Sequence, residues 1–166
     1  MAIMPRLALS VRQPWAWAII CAGKDIENRS WHAVNHGLRQ RGRICIHAAK
    51  GMTRDEYEGA ADFMARIGVT CPAPADLTRS AIIGSVEVVD VVSESNSPWF
   101  CGPRGLVLRN PEACPPIRCI GALGYFEWKH ADIAPPPLAR WMRPKASQEL
   151  GRSEPGSDLF EVKGAA

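Results

Sequence analysis

The chain has 166 residues and a mass of 18.2 kDa, the size of one domain. Apolar residues make up 46% and charged residues 22%, an ordinary globular balance that can bury a core without metal or disulfide staples. No apolar run reaches the roughly 18 residues of a membrane span, and Met1-Ala-Ile-Met-Pro-Arg6 lacks the long apolar region of a secretory signal. The expectation is a cytoplasmic protein with no membrane partner. The net charge of +3 is uneven: +7 over residues 1–54, −6 over 55–100 and +2 over 101–166. The basic first part includes Arg39-Gln-Arg-Gly-Arg43. Such a cluster can hold phosphates or be a solvated loop. Six cysteines lie scattered, with no Cys-x-x-Cys pair and no zinc spacing, so free thiols and no metal are expected.

In chain order, period-two alternation predicts a first strand over residues 7–12. A short buried helix follows over 14–22, with Pro14 at its first position and Gly23 just past its end. Trp15 and Trp17 on it read as core. Residues 26–31 read as a strand with Glu27, Arg29 and Trp31 on one face. A polar, basic loop covers 32–41. The next strand, 42–49, alternates Ile44, Ile46 and Ala48 with Arg43, Cys45 and His47; His47 reads as a core or rim histidine.

Thr53-Arg-Asp-Glu56 is a capping box opening a helix to about Ile67, with Gly68 ending it. Residues 81–92 are β-branched and predict a long strand with a bulge at Gly84. Glu87 shares a face with Val89 and Val91. Ser97-Pro-Trp-Phe-Cys-Gly-Pro-Arg104 is a loop in which Trp99 suits either binding or packing. A strand is expected from Gly105 to Asn110, ended by Pro111, and a last one within 117–128, broken at Gly121 and Gly124. Two units follow: a domain over 5–130 and a Pro/Gly-rich extension over 131–166, which Trp141 and Phe160 can pin down. The expected class is α+β, mainly β, a small curved sheet or barrel.

The runs Leu9-Ser-Val-Arg-Gln-Pro-Trp15, Gly23-Lys-Asp-Ile-Glu-Asn-Arg-Ser-Trp31 and Ile46-His-Ala48 carry a resemblance. With Ile83-Gly-Ser-Val-Glu-Val-Val-Asp90 and Trp99-Phe-Cys-Gly-Pro-Arg-Gly105, they resemble the ASCH domain family of the PUA-like group, over roughly residues 7–128. The resemblance implies a small PUA-like β-barrel with two or three helices at its rim. It also implies binding of RNA, single-stranded nucleic acid or a modified nucleoside in a cleft near the Gly-Lys motif; the sequence itself carries no cofactor-binding fingerprint, and no cofactor is expected. Some members hydrolyse N4-acetylcytidine with a Lys-x-x-Thr pattern and a carboxylate elsewhere; others are linked to ribonuclease activity or transcription coactivation.

Lys24, Glu27, Arg29 and Trp31 supply a cation, a carboxylate, a guanidinium and a flat aromatic in one short stretch. Arg holds phosphate bidentately, Trp stacks on a base, and Glu accepts from an amino group such as cytosine N4. Arg12, Gln13 and Trp99, within the matching runs, join these four as nucleotide-binding candidates, and Arg39, Arg41 and Arg43 as phosphate-binding ones. The same Lys24 and Glu27 also suit a surface ion pair worth about 0–1 kcal/mol. For catalysis the candidates are Lys24, Glu27 and, as second carboxylate, Glu87. Here the tetrad is Lys24-Asp-Ile-Glu27, so Glu stands where a hydroxyl nucleophile would be. The leading expectation is therefore nucleotide binding, with an acylcytidine amidohydrolase and a protein-interaction module as alternatives.

Overall fold

The structure, a computed structural model, describes residues 3–31 and 37–146. Six strands form one sheet: β1 (Leu7–Val11), β2 (Ile26–Arg29), β3 (Gly42–Ala48), β4 (Ala81–Val92), β5 (Arg104–Arg118) and β6 (Tyr125–Glu127). Their spatial order is β2-β5-β4-β3-β1-β6. β1 and β3 run parallel, and every other neighbouring pair is antiparallel. β2 and β6 are the two ends of that order, yet an Arg29 guanidinium N–H on β2 donates to the Ser10 carbonyl on β1 at 2.9 Å. Trp31 and Tyr125 meet beside it, with ring centroids 5.7 Å apart. The sheet is therefore curled into a half-barrel whose two ends are joined by side chains. This is the mainly β, small PUA-like architecture the sequence predicts.

The barrel interior is filled by Leu9, Val11, Ile44, Ile46, Val86, Val88, Leu106 and Leu108. Helix α1 (Trp15–Cys21) adds Ala16 and Ile19 to this cluster. Its start differs slightly from expectation. Pro14 precedes the first turn, and the Gln13 side chain caps it by accepting from the Trp17 N–H at 2.9 Å. Helix α2 (Arg54–Arg66) opens with the predicted capping box, Thr53 Oγ1 accepting from Glu56 N and Glu56 Oε2 accepting from Thr53 N. Such a cap contributes about 1 kcal/mol. Ala60 and Met64 are its buried residues.

β4 spans the predicted residues, and register shifts fall on both sides of Gly84. A Cβ there would collide with the Glu112 carbonyl oxygen and with Ile20 of α1. β5 differs: it does not end at Pro111 but continues to Arg118 through three prolines. The bulges explain this. Ser85 pairs with Glu112 and Glu87 with Arg109, so Asn110 and Pro111 together oppose the single residue Val86. Ile82 pairs with Ile117 and Gly84 with Ala113, so Cys114, Pro115 and Pro116 oppose Ile83 alone. The prolines thus occupy bulges, where a missing N–H breaks no ladder bond. Asn110 takes φ +52°, a left-handed conformation that Asn tolerates. With residues 114–118 absorbed into β5, the predicted strand within 117–128 shrinks to β6 and an isolated bridge between Cys119 and His130. β2 also stops early, at Arg29, because Trp31 turns back over the Arg29 guanidinium.

β3 is buried on both faces. Ile44, Ile46 and Ala48 belong to the interior, while Cys45 packs outside with Ala8, Ile82 and Cys119. Part of the C-terminal extension closes over the domain. Met142 is buried with Met52 and Leu77, and Trp141 lies against Tyr57. Arg79 holds this segment by donating to the carbonyls of Lys50 and Pro137. Phe160, the other predicted pin, lies outside the described residues, as does part of the basic loop, residues 32–36. Among the described residues no helix is long and apolar enough to cross a membrane.

All six cysteines are free. Cys21 and Cys101 are exposed, whereas burial pushes the Cys45 thiol up to about 11. Titration with a disulfide reagent should therefore label Cys21 and Cys101 rapidly in the native protein, and Cys45 and Cys119 only in denaturant. Fast native labelling of all six would mean that the outer layer over β3 is not closed.

Candidate functional site

The site begins where α1 ends. Gly23 takes φ +70°, a conformation that favours glycine, and Lys24 N closes the helix by donating to Ala18 O at 3.1 Å. This sharp turn sends the Lys24 side chain back into the protein, where only 3% of it is exposed. Its ammonium donates to the Ile26 carbonyl and to Glu27 Oε2, 3.0 Å away. The other Glu27 oxygen lies 3.3 Å from an Arg29 guanidinium nitrogen. Glu27 is on the inner face because it pairs with Leu106, a core residue. Arg29 continues the chain to the Ser10 carbonyl and lies over the Trp31 ring, 5.0 Å from its centroid. The result is a buried ammonium–carboxylate–guanidinium chain, far from the surface ion pair that the spacing alone also allowed.

A cavity of about 200 Å³ opens onto one end of this chain. Among the described residues, Lys24 and Glu27 are its only charged lining residues. Its walls are aromatic: Trp15 from α1, Phe63 from α2 and Trp99 from the loop before β5. Trp15 and Phe63 meet edge to face at 5.6 Å, Phe63 and Trp99 lie tilted at 6.0 Å, and the Lys24 ammonium lies 5.8 Å from the Trp15 ring. The Trp99 loop is held by Asn28, whose Nδ2 donates to Trp99 O at 2.9 Å and whose Oδ1 accepts from Cys101 N at 2.8 Å. Asp25 adds a 2.5 Å bond from the Ser97 hydroxyl. Cys101 sits exposed among the lining residues.

The predicted site residues divide clearly. Lys24, Glu27 and Trp99 line the cavity; Arg29 and Trp31 stand behind it, linked through Glu27. Glu87 is not brought there. It lies outside the barrel opposite Arg43 and accepts from Asn110 Nδ2 at 3.1 Å, because the buried Val86 and Val88 fix the other face of β4 inward. Gln13 is spent on capping α1 and on donating to Thr78 O. Arg12 is bound to Glu56 at 2.6 Å and holds that carboxyl below the usual range. Of the three arginines of the basic run, Arg41 lies 3.7 Å from Asp90, and Arg43 is bonded to Ser85 and Asn110 and 3.5 Å from Glu112; Arg39 is exposed. Trp15, Asn28, Phe63 and Cys101 are the lining residues that sequence reasoning missed. Trp15 follows Pro14 in one of the matching runs and Asn28 stands inside the Gly-Lys motif, but their side-chain directions depend on the helix end and on the loop.

A buried carboxylate flanked by two cations, under a slot of aromatic rings, thus marks one end of a domain of the half-barrel type. The sequence profile of the ASCH domain matches residues 9–130, and the chain belongs to that family. Among characterised proteins it is similar to human activating signal cointegrator 1, with 29% identity over 119 residues. That match covers 62% of this chain and 20% of the relative, so the chain corresponds to about a fifth of that protein.

Proposed function

We propose that the domain binds a single exposed nucleotide of RNA, or a modified nucleoside, in the aromatic cavity above Lys24 and Glu27. The observation that carries this reading is the pairing of one carboxylate and one ammonium on a floor walled by three aromatic rings. A base inserted there stacks against Trp15 or Trp99. Its amino group donates to a Glu27 oxygen, which retains lone pairs beyond those used by Lys24 and Arg29. Its carbonyl accepts from the Lys24 ammonium. Both Glu27 oxygens already lie against cations, and the Lys24-Asp-Ile-Glu27 tetrad carries no hydroxyl nucleophile, which favours binding over amide hydrolysis. Arg39, exposed in the basic run, is the candidate there for a phosphate contact.

The test is a titration of cytidine, N4-acetylcytidine and a short single-stranded RNA, followed by tryptophan fluorescence and by mass. Cys101→Trp fills the cavity from its exposed rim and leaves the core untouched. Binding at least about tenfold weaker in this variant, with ligand masses unchanged, is the expected result. Equal binding by the variant would place the ligand elsewhere, and loss of an acyl group would establish the hydrolase instead.

A further inference from the structure

A larger cavity, about 610 Å³, lies on the other side of β1 and takes no part in the site above. Side chains alternate along the strand, so Leu9 and Val11 enter the barrel while Ser10 points outward. There Ser10 meets His47 on the neighbouring parallel strand, Oγ to Nδ1 3.1 Å. His47 borders the cavity and is 2% exposed, and its Nε2 has no partner among the described residues. Gly121 lies against the imidazole so closely that a Cβ would come within 2.8 Å of Nδ1. Burial lowers the His47 pKa, so the ring is neutral at pH 7.

The lining has two characters. Ile120, Leu123, Ile133 and Pro136 supply an apolar wall, and Ile120 and Leu123 are 71% and 99% exposed among the described residues. The polar lining residues are Ser10, His47, Ser80 and Lys50. All can donate a hydrogen bond, one carries a positive charge, and no carboxylate is among them. An exposed lysine at the mouth and hydroxyls within select an anionic head, and the wall selects an apolar body.

We propose that this cavity is a second binding site, for a small monocarboxylate with an aromatic or branched apolar body. The head sits among Lys50 and the hydroxyls of Ser10 and Ser80, and the body covers Ile120 and Leu123. The probe is 2-naphthoate, titrated into isotopically labelled protein and followed by amide chemical shifts. Saturable binding with shifts at Gly121, Leu123 and Ala134 is expected. Acetate, the head alone, and 2-naphthylmethylammonium, the same body with the opposite charge, should bind at least about tenfold more weakly. Lys50→Ala, at an exposed position, should weaken 2-naphthoate about five- to tenfold without altering the thermal midpoint. Ala134→Trp should block it. No saturation, equal affinity for the ammonium compound, or shifts confined to Lys24 and Trp99 would overturn the proposal. Cys101→Trp must leave 2-naphthoate binding intact, which separates this site from the nucleotide reading.

Discussion

Replacing Glu27 by alanine should lower the folding stability by about 3–5 kcal/mol, measured by urea denaturation. The reason is burial. The side chains of Lys24, Glu27 and Arg29 are 3%, 10% and 17% exposed, so removing the carboxylate leaves an ammonium largely withdrawn from water without its counter-ion. Among the described residues, its remaining acceptor is the Ile26 carbonyl. The triple variant Lys24→Met, Glu27→Leu, Arg29→Met should recover most of the loss, because apolar side chains of similar volume replace the whole buried ionic chain at little net cost. A loss below about 1 kcal/mol for Glu27→Ala would mean the pair is solvated like a surface one. It follows that truncating Lys24 or Glu27 confounds binding with unfolding, and that the rim residue Cys101 is the cleaner place to test the proposed nucleotide site.

Trp99→Ala should cost a similar amount, about 3–5 kcal/mol, the usual loss for a buried tryptophan. Trp99 is 5% exposed and packs in a cluster with Ala18, Ile26 and Met64 while facing the cavity with Phe63. Trp99→Phe should keep the loop in place, since Asn28 holds it through backbone atoms and not through the ring. The expected contrast is a Phe variant that unfolds near the wild-type denaturant midpoint yet binds nucleotide less tightly, because base stacking contributes about 1–3 kcal/mol and falls with ring size. A Phe variant with unchanged affinity would reduce Trp99 to a packing residue.

Local signals carried much of the fold. The capping box at Thr53, the β-branched run from Ala81 to Val92 and the bulge at Gly84 each follow from short-range chemistry that tertiary context did not override. β5 did not yield in the same way. Pro111, Pro115 and Pro116 are strand breakers in isolation, and only the partner strand decides that they fall in bulges. The site shows the same division. Lys24, Glu27 and Arg29 form the expected group because the glycine turn and period-two alternation are local. Glu87 went to the opposite surface because two valines claimed the interior, a competition that spans the sheet. Trp15 read as core because its helix is apolar almost all round, yet its ring is a cavity wall, since Phe63 and Trp99 arrive from distant parts of the chain.

The prolines of β5 have a consequence for how these molecules behave toward one another. β2 pairs with β5 only as far as Val107, so the long remainder of β5 has β4 on one side and, among the described residues, no strand on the other. An open edge of that length would ordinarily invite a strand from a second molecule. Pro111, Pro115 and Pro116 remove three amide donors from it, and two bulges break its regular spacing. The residues that looked like the end of the strand thus make it a poor template for self-association, and a concentrated solution of the protein is guarded along its longest exposed edge.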